Sequence, residues 1–424
     1  MSSPPQILLL GAAGFIGQHI AFALRDAGYS VLACARSPRR LTAMGFDTLQ
    51  ADLTNPQTHC TQFWQPHLAN CTHVINCAGL LTGPKASFAA VHVNAPKAVY
   101  RAMPKGGQVV LISAVGIDAD TNFGHYRRQG EDVAKGFNAT ILRPGIVLAD
   151  DCYGGSSLSR ALAALPVVMP VVGDGKQQFN PIHADDLAAI IIEALQTPPP
   201  AEPIEIGGPE ALSQTEMLSG LRSWLGLKPV RIFQIPLPVA RIMGRIGDAL
   251  HLAPISLTAV DQLEQGVAAD TAKMGAHYKS RPRSFSDFQN AHPSQTQDLW
   301  HARLYLLRPV LRLSLALMWF ISGLIGLFLP VENFLPVVSG LLPDNLLIAT
   351  ARIGGIIDLL IALALIMAWR LKPIAWLQFA MVAGYTVGLS IIAPTLWAEP
   401  FGGVLKNLPI LVLILIHRVL EEER

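Results

Sequence analysis

Charged side chains are scarce in this chain. Asp, Glu, Lys and Arg make up 15% of its 424 residues, against roughly 25% in an ordinary soluble domain. Hydrophobic residues reach 51%, and the mean hydropathy is +0.38. This composition excludes a disordered, collagen-like or coiled-coil protein and argues against a chain that is soluble throughout. A dominant charge sign is missing too: 32 basic and 30 acidic groups leave a formal net charge of +2. No strong attraction to polyanions follows, so nucleic acid is not an expected partner. Cysteine is sparse. Cys34, Cys60, Cys71, Cys77 and Cys152 are odd in number and form no CxxC pair. Neither a disulfide framework nor a metal site is expected, which suits a reducing compartment. The opening MSSPPQILLLG has no basic segment and only a short apolar run, so it does not read as a signal peptide.

The length suits two or three domains, and the charges divide the chain. Residues 1–300 carry 23 basic and 23 acidic groups, whereas residues 301–424 carry 9 and 7. The last third holds long uncharged runs: 19 residues at 313–331 and 26 at 373–398, with further apolar stretches at 346–369 and 401–416. A spanning helix needs ~20 residues to cross ~30 Å of hydrocarbon, so four spans are expected. Arg303, Arg308 and Arg312 precede the first span, Arg370 and Lys372 lie between the second and third, and His417, Arg418 and Arg424 follow the fourth. The intervening loops carry Glu332, Asp344 and Glu399 but no Lys or Arg. The positive-inside rule then puts both termini in the cytoplasm.

In the first part, short apolar runs at 7–10, 30–35, 74–76, 109–113 and 140–142 read as buried strands alternating with helical stretches, the pattern of a parallel sheet with crossover helices. Residues 276–298 read as a polar tail and linker. The first strand runs into Gly11-Ala12-Ala13-Gly14-Phe15-Ile16-Gly17. Gly11 allows a tight turn, Gly14 lets backbone approach a pyrophosphate, and Gly17 lets the helix pack close to the strand; the helix N-terminus then favours phosphate charge.

This glycine spacing resembles the short-chain dehydrogenase/reductase superfamily, particularly its extended and atypical branches. Further segments match in order: Arg36-Ser37-Pro38, Ala51-Asp52-Leu53, Asn76-Cys77-Ala78-Gly79, Asn94, Ser113, Leu142-Arg143-Pro144-Gly145, the 173–187 block and Ile206-Gly207-Gly208-Pro209-Glu210. The later segments resemble the NmrA-like and complex-I accessory-subunit-like branches. The resemblance implies that Asp52 and Leu53 lie near the adenine, and Ala78 and Gly79 beside the cofactor ribose. An acid after the second strand would bind the ribose 2′-hydroxyl, but Arg36 stands there with Arg39 and Arg40 nearby. That favours NADP over the alternative, NAD, unless the arginines form only a solvated loop.

The family also uses a Tyr whose phenol is acidified by a Lys four positions on, with a Ser polarising the substrate. Ser113 and Tyr126 are the candidates, but Gly130 stands four after Tyr126. Alignment on Glu131 instead gives Phe123 and Arg127, and Arg cannot shuttle a proton as Lys can. Tyr126 is thus either a working acid or a surface residue near the cofactor mouth. His183 and Asp186 invite a catalytic reading, but Asp185 or Asp186 is expected to cap the next helix. Residues 236–250 form an apolar helix with Arg241 and Arg245, which reads as a membrane-surface helix or a lid.

The last third resembles the DoxX-like family, with four spans, a polar second helix, and Lys406-Asn407-Leu408-Pro409 opening the fourth. Arg352 and Asp358 are costly in lipid and should face the bundle interior or an interface, in a structural polar contact or against a quinone-like or lipid ligand. The expected fold is α/β: a Rossmann-type doubly wound parallel sheet with a small substrate lobe over 1–298, then an all-α four-helix transmembrane domain over 299–424. The leading functional expectation is a membrane-anchored NAD(P)-dependent oxidoreductase or epimerase-like enzyme acting on a lipophilic substrate. The alternative is a non-catalytic NAD(P)H sensor or accessory protein of a respiratory complex, with other membrane proteins as partners. The expected location is the inner (cytoplasmic) membrane, multi-pass, with the N-terminal domain inside.

Overall fold

The computed structural model describes residues 5–422 apart from 253, 254, 266, 339, 341, 399 and 401. The chain divides into two compact units, residues 1–245 with 254–299, and residues 246–253 with 300–424.

The first unit is built on seven parallel strands: β1 (Gln6–Leu10), β2 (Ser30–Ala35), β3 (Asp47–Gln50), β4 (Cys71–Asn76), β5 (Gln108–Ile112), β6 (Ala139–Pro144) and β7 (Ile204–Ile206). Their spatial order is β7-β6-β5-β4-β1-β2-β3. Strand order therefore reverses between β1 and β4, which leaves a crevice at the carboxyl ends of that pair. The continuous apolar run of β1 follows from burial on both faces. Ile7 and Leu9 pack with Ile20 and Leu24 of the helix Phe15–Asp26 and with Leu187 and Ile191 of the helix Ala184–Ala194. Leu8 and Leu10 face the other way, into Trp64, Leu68, Val91 and Val99.

The sheet contains an edge strand that hydrophobic runs do not reveal. β3 reads Asp-Thr-Leu-Gln, and only Leu49 is buried, so its pattern is that of a half-solvated edge. A smaller lobe has its own core of Leu148, Met169, Phe179, Met217, Leu221 and Phe285. There the strand Val168–Val172 pairs in parallel with Arg231–Ile235. The expected linker at 276–298 is corrected here. It holds the helix Phe285–Ala291, started by a Ser284–Asp287 capping box, and Phe285 and Phe288 are buried in that core. Polar composition hid two aromatic anchors three residues apart on one helical face.

The second unit is apolar outside. Leu317, Phe320, Ile321, Leu360, Leu363 and Ile391 are exposed, while Asp358 and Gln378 are buried. A helical bundle with apolar residues outward and polar groups inward matches lipid rather than water as its solvent. Among the described residues, three helices are long and apolar enough to cross a membrane: Thr296–Phe328, Asp344–Ile366 and Leu371–Ile392. The fourth expected span differs. The helix Asn407–Leu420 has 14 residues, about 21 Å of rise, short of ~30 Å of hydrocarbon. Its start is held by the Asn407 amide, which donates to Thr386 Oγ1 at 2.9 Å.

The helix Leu237–Ala249 runs across the division between the units, its last residues grouping with the second. The Arg312 guanidinium donates to the Leu250 carbonyl at 2.7 Å, satisfying a carbonyl just past that helix's end.

Within the first unit, the helix Asn122–Lys135 is tied to the sheet by an ion pair. Arg143 on β6 donates from Nε and Nη2 to both oxygens of Glu131, at 2.8 and 2.7 Å. Glu131 is 2% exposed, whereas the Arg143 side chain is 21% exposed. Removing one partner of a buried pair costs ~3–5 kcal/mol when it strands a buried charge. Arg143→Met should therefore lower the thermal midpoint of the protein more than Glu131→Gln does, because the stranded Arg143 can still reach water. Calorimetry of both variants checks that order.

Candidate dinucleotide-binding site

The site begins where β1 ends. Gly11 has φ +77°, and a Cβ placed there would come within 2.9 Å of the Ala78 backbone nitrogen. The turns leaving β1 and β4 thus meet backbone to backbone at the switch point. The Gly11 and Ala12 N–H groups both donate to the Cys34 carbonyl at 3.1 Å, fixing the turn to β2. A Cβ on Gly17 would collide with the Gly11 carbonyl oxygen, so the first helix packs directly over the turn. Gly14 is the helix N-cap, and no side chain caps the first turn. The leading N–H groups at Phe15, Ile16 and Gly17 have no intrahelical acceptors and are left to a ligand. Ala13 and Gly14 are exposed at this mouth, while Ala12 is buried. A Cβ on Gly14 would touch only the Gly11 oxygen, at 3.2 Å. These features fit a dinucleotide pyrophosphate.

The remaining sequence candidates fall around the same crevice. Arg36 follows β2, and its side chain is exposed. It lies close enough to Asp52 to hold that carboxyl below its usual range, although hydrogen bonds from the Thr54 N–H and hydroxyl are the larger cause. Leu53 is buried beneath. After β4, the Ala78 N–H donates to Asn76 Oδ1 at 3.1 Å, and Asn76 Nδ2 donates to the Tyr100 hydroxyl at 2.8 Å. Asn94 closes a π-helical turn, Ala90–Asn94, and is exposed.

Along the helix Asn122–Lys135 the two possible registers have different surroundings. Tyr126 stacks on Phe88 at 5.8 Å. Four positions on, a Cβ at Gly130 would come within 2.6 Å of the His92 carbonyl, so that position faces helix packing. Arg127 points to the carboxyl ends of β4 and β5. Its Nη1 donates to the Ile112 carbonyl at 2.8 Å, and a side chain at Gly79 would collide with its Nη2. One turn earlier Phe123 is buried, 5.5 Å beneath that guanidinium. Burial pulls the Arg127 guanidinium down to about 10, with Glu131 opposing the shift. Ser113 follows β5 and is buried; its N–H donates to the Leu142 carbonyl at 2.7 Å. Its Oγ has no hydrogen-bond partner among the described residues. His92 accepts from the Leu80 N–H at 3.1 Å, and burial, with Arg127, lowers it to about 3. It is a neutral brace for the β4 exit loop.

A second cluster anchors the first helix. His19 lies one turn into it and bonds from Nδ1 to Asp185 and from Nε2 to Asp151, both at 2.9 Å. Both ring nitrogens face carboxylates, which requires the imidazolium. Burial acts to lower this group, but the two carboxylates outweigh it and raise it to about 9. The expected aspartate cap at 184 is corrected. His183 is the N-cap, its Nδ1 accepting from the Asp185 N–H at 3.2 Å. Asp185 is committed to His19, and Asp186 to Arg283 at 3.0 Å. Sequence reading missed His19, His92 and Arg283, whose partners lie up to 166 residues away.

Fold and site together define a Rossmann domain of the dinucleotide-binding kind, followed by a membrane domain. Residues 7–115 match the model of the NAD dependent epimerase/dehydratase family, and residues 316–415 match that of the DoxX-like family. The first part is thus similar to domains of the epimerase/dehydratase kind and the last part to DoxX-like domains. The chain is 26% identical over 253 residues to the mitochondrial NADH dehydrogenase [ubiquinone] 1 alpha subcomplex subunit 9 of Arabidopsis thaliana. That match covers 55% of this chain and 61% of the relative. Among solved structures, UDP-glucuronic acid 4-epimerase from Bacillus cereus, in complex with NAD, aligns at TM-score 0.53 and 18% identity over 70% of this chain and 99% of its own. Pal from Bacillus thuringiensis aligns at TM-score 0.51 and 13% identity, over 71% and 98%. At these identities the structures establish the fold.

Two outcomes follow. Gly14→Val has an allowed backbone conformation but fills the mouth, so it should keep the parent's circular dichroism and lose dinucleotide binding by calorimetry; unchanged affinity would refute the site. For His19, the folded value lies above the ordinary 6.5. Its stabilising contribution is complete below about 6.5 and is lost as pH rises through about 9. The thermal midpoint should therefore fall over that interval in the parent, and less steeply in His19→Gln.

Proposed function

We propose that this is a membrane-attached protein that binds a nicotinamide dinucleotide without the tyrosine–lysine proton relay, in a sensing or accessory role. One observation carries the reading: Arg127, with Phe123 one turn before it, occupies the ends of β4 and β5. Phe has no proton to give, and a permanently charged Arg cannot relay one. Arg127 can still bind, since its fixed charge and donors suit ribose hydroxyls or a phosphate. The relative in a respiratory enzyme supports an accessory role beside membrane partners.

A second reading keeps catalysis. The unpartnered Ser113 Oγ is available to polarise a carbonyl or hydroxyl, and the small lobe offers room for specificity. A bound nicotinamide would supply hydride transfer, and the substrate would be lipophilic, drawn from the bilayer. In either reading Arg36 favours NADP over NAD, because its exposed guanidinium can meet a 2′-phosphate. The proposed domains are 1–298 and 299–424. The proposed setting is the inner (cytoplasmic) membrane, multi-pass, with the dinucleotide domain on the cytoplasmic side; a C-terminus on that side as well requires the helix Asn407–Leu420, with the turn Val404–Lys406 before it, to complete a fourth crossing.

The test uses the full chain in detergent. Titration with NADPH should show saturable binding, and the bound cofactor should persist through incubation with membrane lipid extracts. Steady oxidation of NADPH by such extracts, lost in Ser113→Ala, would favour the catalytic reading instead. Arg36→Ala should weaken NADPH by roughly tenfold or more, from a charge-assisted bond of about 1.5–3 kcal/mol, and leave NADH nearly unchanged. Equal losses would remove the case for NADP.

A further inference from the structure

The membrane unit contains a carboxyl that no cation among the described residues neutralises. Asp358 lies mid-way along the helix Asp344–Ile366 and is 3% exposed. Its two hydrogen-bonding neighbours are neutral hydroxyls: Ser322 donates to Oδ2 at 2.7 Å, and the Tyr385 hydroxyl is 3.3 Å from Oδ1. They come from the two other long helices, so three helices converge on one carboxyl.

The surroundings are shaped to hold this contact. A Cβ on Gly354 would lie 2.9 Å from the Tyr385 hydroxyl, so the glycine gives the phenol its path. Gly323, Gly326 and Gly355 bring two helix backbones together; a Cβ on Gly326 would lie 2.9 Å from Gly355 Cα. Such small residues permit close helix approach in lipid and here press Ser322 against Asp358. One turn from Ser322, the Trp319 indole donates to Gln378 Oε1 at 3.0 Å, and Gln378 Nε2 is buried with no partner among the described residues.

The cations nearby in sequence are engaged elsewhere. Arg352 donates to the carbonyls of Gly326, Leu327 and Leu329 at 2.9, 2.6 and 2.9 Å. It satisfies the carbonyl end of the helix Thr296–Phe328, where a cation also meets the negative end of the helix dipole. Arg312 precedes Ser322 by ten residues and Lys372 precedes Tyr385 by thirteen, about 15 and 20 Å of helix rise. His417 and Glu421 face each other at 3.4 Å, and Lys406, Glu332 and Asp344 are exposed. Among the described residues no Lys, Arg or His ion-pairs with Asp358.

An ionised carboxylate in that position would carry an uncompensated charge in a medium of low dielectric. We propose that Asp358 is a proton-binding site of the bundle and holds its proton at neutral pH. In this state Ser322 donates to the carbonyl oxygen Oδ2, and the acid O–H on Oδ1 donates to the Tyr385 oxygen. The site is also a modification site for an apolar carbodiimide, which reacts with un-ionised carboxyls reached through lipid. The acid proton passes to a carbodiimide nitrogen and the carboxyl oxygen bonds to the central carbon. An oxygen-to-nitrogen acyl shift then gives a stable N-acylurea. No electrons are transferred, and no group leaves.

The full chain in lipid vesicles is treated with dicyclohexylcarbodiimide at pH 7 and mapped by peptide mass spectrometry. Asp358 should carry the adduct, while the exposed Asp344 stays unmodified. Asp358→Asn should abolish the adduct without altering dinucleotide affinity, which keeps this result separate from the dinucleotide-site reading. Infrared spectra remove the dependence on reagent access. The parent should show an un-ionised carboxylic C=O band at pH 7 that the Asn variant lacks. A parent without that band, or one that gains it only on acidification below pH 5, overturns the proposal.

Discussion

Where β1 and β4 leave the sheet, their backbones come so close that no side chain fits between them. Gly11 stands at φ +77° against the Ala78 nitrogen, and Gly17 stacks the first helix onto the same turn. The site is organised around this contact. It opens the crevice at the strand reversal and aims the uncapped first turn into it. Polar pins then hold the assembly: His19 between two carboxylates, His92 on the β4 exit loop, and the Arg143–Glu131 pair beneath the helix that carries Arg127.

The helix Asn122–Lys135 brings one face to the carboxyl ends of β4 and β5. The face of the helix Asn122–Lys135 that meets the crevice carries Phe123 and Arg127, where a proton relay would need a phenol and an amine. Tyr126 is one position round the helix, stacked on Phe88, and Gly130 is consumed by contact with the His92 carbonyl. A positive charge is therefore held at the strand ends, over the Phe123 ring. On that helix face Phe123 and Arg127 stand four residues apart, an apolar ring and a fixed charge.

The second unit reverses the logic of a soluble core. Its outward surface is apolar, and its few polar groups are turned inward, where lipid gives them no alternative partner. Arg352 and Asp358 illustrate two ways of placing ionisable groups there. The arginine keeps its charge by capping a helix end through three carbonyls. The carboxyl meets two hydroxyls, Ser322 and Tyr385.

The sequence by itself determined the alternation of strands and helices, the glycine turn and the apolar helices, because each depends on periodicity or on residues within one turn. Composition alone separated the two parts, since a shortage of charge is a property of segments. The tertiary structure decided what spacing could not express. It turned Arg127 toward the ends of β4 and β5, which depends on which helix face meets them. It assigned Asp185 to His19, 166 residues away, rather than to a helix cap. It drew the 276–298 stretch into a core through Phe285 and Phe288, and it shortened the last helix to 14 residues. Those outcomes rest on contacts between distant segments, whose free energy exists only once the chain has folded.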